Sequence, residues 1–244
     1  MKGAMLLQIL LISLFVVAPL RAWSADETNR DPWESYNRKV FAFNDGADRY
    51  FLAPIARGYQ WATPDPVESG IRNFFSNLDD IMVITNDLLQ FKFAQAGSDS
   101  GRFLINTTLG VGGFFDVASK VGLEKRRQDF GLTFAHWGAA SGPYVVLPLL
   151  GPFTVRDGFA AVAGGTLDVV ASQVNHVPTR NTLLATELVD KRASLLAAES
   201  LISGDRYSFL RDVYLQQRDF LTNDGVVKDS FGEEDFEEDF EQWD

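Results

Sequence analysis

The chain reads as an all-α protein, and three observations carry that reading. Two helix starts, Asp31-Pro32-Trp33-Glu34 and Asp65-Pro66-Val67-Glu68, each place a capping acid, a proline at the first helical position and a second acid at N3. Apolar residues recur at three- and four-residue steps through most of the 244 positions. Strand signals are scarce: Val145-Val146-Leu147 is the tempting run, and its flanking prolines, Pro143 and Pro148, demote it. The predicted architecture is one helical domain over residues 30–226 with one or two irregular apolar loops.

Each element follows from its own residues. Lys2, a charge-free run from Gly3 to Leu20, Arg21 and the small residues around Ala22-Trp23-Ser24-Ala25 read as a secretory signal peptide over residues 1–25, with a retained membrane helix as the alternative. After Asp31, the positions Trp33, Tyr36, Val40, Phe43, Ala47 and Tyr50 set an aromatic stripe on one helical side. Phe74, Phe75, Leu78, Ile81, Met82, Leu88 and Leu89 continue the habit in the second helix. Thr154-Val155-Arg156-Asp157 is a capping box that opens a helix to about Ala171. Leu183, Leu184, Leu188, Leu195, Leu196 and Ile202 mark a longer helix ending at Gly204, and Asp205 opens a last one capped by Gly225.

The net charge of −11 is unevenly spread. Residues 229–244 carry nine acids and no base, while residues 1–25 carry two bases; setting both aside leaves −4 for residues 26–228. A body so near neutral, with no basic stripe, argues against a nucleic-acid partner. The tail over residues 227–244 stands apart: its composition is that of a solvated, disordered segment, yet Phe236, Phe240 and Trp243 share one helical face, as in a segment that folds on a partner. Cysteine is absent, so neither disulfide nor thiol chemistry is available.

No catalytic constellation emerges. His136 and His176 are the two histidines, and no His-Glu-x-x-His motif is present. Gly97-Ser98-Asp99-Ser100-Gly101 has Asp99 where a nucleophile elbow needs serine, and reads as a loop or helix start. Asp79 and Asp80 point about 100° apart on a helix, which suits a solvated face better than a shared proton. Gly110-Val111-Gly112-Gly113 lacks the lysine or acidic partner of a nucleotide loop, and beside Phe114-Phe115 suits a bend or close helix packing. Lys125-Arg126-Arg127 is the one basic cluster and reads as a solvated loop, with headgroup contact as the weaker option. No cofactor or metal is implied.

From Phe130 to Val155 no Asp, Glu, Lys or Arg occurs, and Pro143, Pro148 and Pro152 interrupt the run. It is apolar enough for lipid but too broken for a spanning helix, because each proline lacks a donor and fixes φ. Two readings stay open: a buried loop and helix of the core, or a membrane-surface segment through Tyr144, Val145, Val146, Leu147, Leu149, Leu150 and Phe153.

The order of several motifs resembles one family. Asp31-Pro32-Trp33-Glu34-Ser35-Tyr36-Asn37-Arg38 through Phe43-Asn44, Asn73-Phe74-Phe75-Ser76-Asn77-Leu78, and Arg102-Phe103-Leu104-Ile105-Asn106-Thr107 with Gly110, Gly113, Asp116 and Ala118 match the MlaA (VacJ) proteins of Gram-negative outer membranes in this way. So do Phe130-Gly131, His136-Trp137-Gly138, Gly142-Pro143-Tyr144, Leu147-Pro148, Gly151-Pro152, Arg156-Asp157, Tyr207-Ser208 and Arg218-Asp219-Phe220. The resemblance implies a helical ring in the periplasmic leaflet of the outer membrane around an amphipathic channel. Phospholipid mislocalised to the outer leaflet would leave through it to a periplasmic lipid-carrier protein, and trimeric porins would be partners. Channel candidates are Phe43, Asn44, Arg102 and Asn106, with Gly110, Gly112, Gly113, Phe114 and Phe115 as a flexible rim. The sequence departs from the family in lacking a lipobox cysteine, so the expected protein is exported and held by its own apolar surface or by a porin. A porin-associated scaffold without a channel is the alternative function.

Overall fold

A computed structural model describes residues 30–164, 170 and 173–226. The signal-peptide reading and the tail candidates Phe236, Phe240 and Trp243 lie outside these residues. The described elements are α1 (Glu34–Ala47), a π-helical turn (Asp48–Leu52), α2 (Ala53–Ala62), α3 (Asp65–Leu89) and α4 (Phe93–Thr108). After a 3-10 turn (Ser119–Val121) come α5 (Phe130–His136), β1 (Tyr144–Leu147), β2 (Gly151–Thr154) and α6 (Val155–Gly164). Then follow α7 (Val177–Leu195), a second 3-10 turn (Ala197–Leu201) and α8 (Arg206–Thr222). The all-α expectation holds, and none of the described helices is long and apolar enough to cross a membrane.

The π turn lets α1 run into α2 without a break. Pro54 has no N–H to continue the ordinary ladder, and just before it the Ala53 N–H reaches Asp48 O, one residue further back than an α-helix requires. Helix ends follow the predicted chemistry in part. Thr154 Oγ1 accepts the Asp157 N–H (3.2 Å), the Asp205 carboxylate accepts the Tyr207 N–H (3.3 Å), and Gly225, at φ +81°, donates to Phe220 O (2.9 Å). Asp31 departs from expectation: α1 has Trp33 at its N-cap, and the buried Asp31 carboxylate instead accepts from Asn37 Nδ2 (2.8 Å) and the Tyr207 hydroxyl. Its tertiary partners replace the local cap.

The Val145-Val146-Leu147 run is a strand after all. β1 and β2 form an antiparallel hairpin with Tyr144 opposite Thr154 and Val146 opposite Pro152. A two-stranded sheet has only edge strands, which tolerate a residue without an N–H. The missing pairing comes from α1. Asn37 donates to Tyr144 O (3.1 Å) and accepts from the Val146 N–H (2.9 Å); Asn44, two turns on, donates to Leu147 O (2.9 Å) and accepts from the Leu149 N–H (2.8 Å). Two asparagine amides thus do for β1 what a third strand would do.

The hydrophobic core, Tyr144, Val146, Tyr207 and Leu215 with Val40, Phe41 and Tyr214 packed against it, joins α1, the hairpin and α8. Its rings meet edge-on or tilted, Phe41 to Tyr207 at 5.5 Å and Tyr144 to Tyr214 at 5.9 Å. Elsewhere α3 packs along α4 across the turn at Gln90-Phe91-Lys92, α2 packs on α7, and α5 on α6.

Candidate functional site

A cavity of about 560 Å³ opens beside the core, between α1, the hairpin, the end of α7, the second 3-10 turn and α8. α8 forms its longest wall: Arg206, Phe209, Leu210, Val213, Tyr214 and Gln217 recur at one-turn spacing, so one face lines the hollow over about 16 Å. Leu195 and Ile202 add apolar surface, and Phe41, Tyr144, Val146 and Tyr214 extend the aromatic core into it. Its size falls within the range of small-molecule pockets, roughly 300–1,000 Å³.

The start of α8 carries the charge. Arg192 grips Asp48 with two donors, Nε at 2.6 Å and Nη2 at 2.8 Å, and also meets Glu199. Arg206 reaches Glu199 at 3.4 Å and Asp45 at 3.2 Å, while Arg49 meets Asp45 from outside the cavity at 3.0 Å. The hydrogen bonds from Arg192 to Asp48 raise the arginine pKa above its usual range despite burial. The hollow therefore has greasy walls and an ionic cluster at one end.

A second polar assembly lies along the α3–α4 seam. Arg102 donates to Ser119 Oγ (2.9 Å), Leu123 O (2.5 Å) and Asp116 (3.0 Å), with Asp80 at 3.7 Å. Lys125 pairs with Asp80 and Arg126 with Asp99, so two members of the basic cluster read as a solvated loop instead bind buried carboxylates. Burial works against ionised Asp116, but hydrogen bonds from Ser119, Arg102 and Asn106 outweigh it and hold the carboxyl down at about 2. Asp87 is fully buried with both oxygens lacking a hydrogen-bond donor; burial first, then the neighbouring Asp99, pushes it up to about 7.

Of the predicted channel residues, Asn44 lines the cavity. Phe43, its neighbour, is exposed. Arg102 and Asn106 are placed in the seam, not on the cavity wall: Asn106 Oδ1 accepts the Val117 and Ala118 N–H groups (2.9 and 2.8 Å), and together they fold the 110–123 loop onto α4. The predicted glycine rim packs tightly there. A Cβ on Gly110 would lie 2.2 Å from Phe115 O, and one on Gly113, at φ +90°, 2.6 Å from Asn77 Cβ. Phe114 fills the space over Gly70, whereas Gly112 and Phe115 face outward.

The membrane-surface candidates divide by strand alternation. Tyr144 and Val146 are core residues, which corrects their placement on a membrane face; Val145, Leu147 and Phe153 are half-buried, and Leu149 and Leu150 stand out at the hairpin tip. The sequence reading missed another outward group: Phe91 and Phe93, in ring contact at 6.2 Å, project with Leu88 around the α3–α4 turn, where Trp137 donates to Leu89 O. Trp61 is 90% exposed, and Tyr50, Phe51 and Ile55 stand out along the π turn and α2. The cavity cluster was also missed, because Asp45, Asp48, Arg192, Glu199 and Arg206 lie up to 161 positions apart in the chain.

An outside rich in large apolar side chains, an inside rich in paired charges and an amphipathic hollow define a class of helical protein built to sit against lipid. The family model described as MlaA lipoprotein matches residues 29–221, and the chain belongs to that family. It is 36% identical over 204 residues to the Escherichia coli K12 protein named intermembrane phospholipid transport system lipoprotein MlaA, covering 81% of this chain and 80% of that one. The Haemophilus influenzae protein of the same name is 32% identical over 206 residues, 82% of each chain. A solved structure concerned with the maintenance of bacterial outer membrane lipid asymmetry has a TM-score of 0.68 and 35% identity, covering 79% of this chain and 98% of its own.

Proposed function

We propose that this protein carries phospholipid out of the outer membrane, taking mislocalised lipid from the outer leaflet through its amphipathic hollow and passing it to a periplasmic carrier. The observation that supports this most is the cavity itself: apolar walls for acyl chains and an ionic cluster at the start of α8 for a polar head. A lipid moving between such surroundings keeps its head solvated and its tails out of water, so passage needs no chemical step. The exposed Trp61, Phe91, Phe93, Leu149 and Leu150 hold the protein in the periplasmic leaflet by burying their apolar surface there. Export by the residue 1–25 segment, association with a trimeric porin and a partner-binding role for Phe236, Phe240 and Trp243 complete the reading.

The test is genetic. Deleting the gene is expected to raise surface-exposed phospholipid, wild-type protein to restore it, and Ala198→Trp, which fills the hollow from the second 3-10 turn, to restore it poorly at equal abundance. Full restoration by Ala198→Trp would favour a scaffold without a lipid path.

A further inference from the structure

We propose that the ionic cluster at the start of α8 selects zwitterionic phospholipid headgroups, an ammonium joined to a phosphodiester, over anionic ones. This rests on the phospholipid reading above and names which lipids that site takes. The two arginines of the cluster differ. Arg192 is committed, held by two short bonds to Asp48 and by Glu199, with 11% of its side chain exposed. Arg206 is loosely held, at 3.2 and 3.4 Å from its carboxylates, and its buried Nε has no hydrogen-bond partner of proper geometry. Its side chain is 36% exposed, so the guanidinium can turn from these long contacts to a phosphodiester oxygen.

What stands around Arg206 decides which phosphodiester. Asp45, Asp48 and Glu199 outnumber the two guanidiniums lining the cavity, and Arg49 offsets Asp45 only from the exterior, where it is 66% exposed. An anionic head binding Arg206 would compete with Asp45 and Glu199 for it, leaving Asp45 with the exposed Arg49 alone and Glu199 with an Arg192 already shared with Asp48. It would also add a negative charge to a site where acids outnumber guanidiniums. A zwitterion brings its own cation. Its phosphate takes Arg206 while its ammonium takes Asp45 or Glu199, so two stretched ion pairs are exchanged for two close ones and no net charge is added. The apolar face of α8 from Phe209 to Val213 then receives the chains.

The experiment offers the purified full chain an equimolar mixture of phosphatidylethanolamine and phosphatidylglycerol with matched acyl chains, and measures retained lipid by mass spectrometry. The zwitterionic lipid is expected to be enriched about tenfold, in the range that one or two charge contacts supply. Arg206→Gln should remove most of this enrichment, and Arg206→Lys should preserve it. The double change Asp45→Asn with Glu199→Gln should shift the ratio toward the anionic lipid. Circular dichroism confirms that each variant is folded, and the wild-type ratio decides by itself if one is not. Lipid retained without preference overturns the headgroup assignment and leaves the transport reading standing; no lipid of either kind retained overturns both.

Discussion

The α3–α4 seam and the α1–hairpin–α8 quarter solve opposite problems with the same residue types. In the seam, charged groups such as Asp80, Asp99 and Arg102 are inside, while Phe91, Phe93 and Leu104 are outside. In the hairpin quarter, Tyr144, Val146, Tyr207 and Leu215 are inside, in the manner of a water-soluble core. The seam can leave these apolar side chains exposed because paired charges, not burial of those atoms, hold its helices in register. The hairpin quarter keeps a conventional core on one side of its aromatic cluster and an amphipathic hollow on the other. Cohesion and apolar exposure are therefore assigned to different surfaces.

Removing a charge from the seam should have the largest effect. Arg102→Met leaves Asp80 short of a cation and Asp116 without its guanidinium, and is expected to cost about 3–5 kcal/mol in denaturant unfolding. A loss below about 1 kcal/mol would show that the seam is not held by charge and would erase the contrast.

The next prediction concerns pH. The Asp87 carboxyl is pushed up to about 7 in the folded chain, against an ordinary value of about 3.9 when unfolded. Between those values the native state binds more protons, so stability should fall as pH rises from about 4 to about 7 and level off above. Asp87→Asn should flatten that slope and stabilise the protein at neutral pH, on the order of 2 kcal/mol. Thermal melting at pH 5 and pH 8 measures it; an unchanged slope in the variant would place the titrating group elsewhere.

A smaller loss is expected from the hairpin quarter. Tyr207→Phe removes the hydroxyl that donates to buried Asp31 but keeps the ring against Phe41 and Tyr144, and should cost about 1.5 kcal/mol. A loss as large as that of Arg102→Met would mean that this core, too, depends on its polar bonds. The smallest stability change belongs to the outer surface. Phe91→Ser with Phe93→Ser should move unfolding by no more than about 0.5 kcal/mol while weakening flotation with phospholipid vesicles several-fold. Unchanged flotation would remove the α3–α4 turn from the lipid-facing surface.

Much of the helical framework was legible because helix signals are local. The Thr154 capping box, the Asp205 N-cap and the Gly225 stop each involve partners within five residues, and each stands where the residues predicted. The strand was misread because flanking prolines count against a strand inside a sheet, whereas β1 pairs only with β2 and its other edge is satisfied by Asn37 and Asn44, about a hundred residues away on α1. Arg102 and Asn106 look like polar channel residues in sequence; their partners Asp116, Val117 and Ala118 identify them as the clasp of a loop. Lys125 and Arg126 likewise read as solvated until Asp80 and Asp99 are seen beside them.

By itself, the sequence determined the helical class, the start of α6, both ends of α8 and, through ordered motifs along most of its length, the family. Periodicity and capping are properties of neighbouring residues, and they survive without knowledge of the fold. Only the tertiary structure decided which polar residues are structural and which line the hollow. That distinction depends on whether a charge finds its partner inside the protein or is left facing an open space, and such partners meet only when distant segments are brought together.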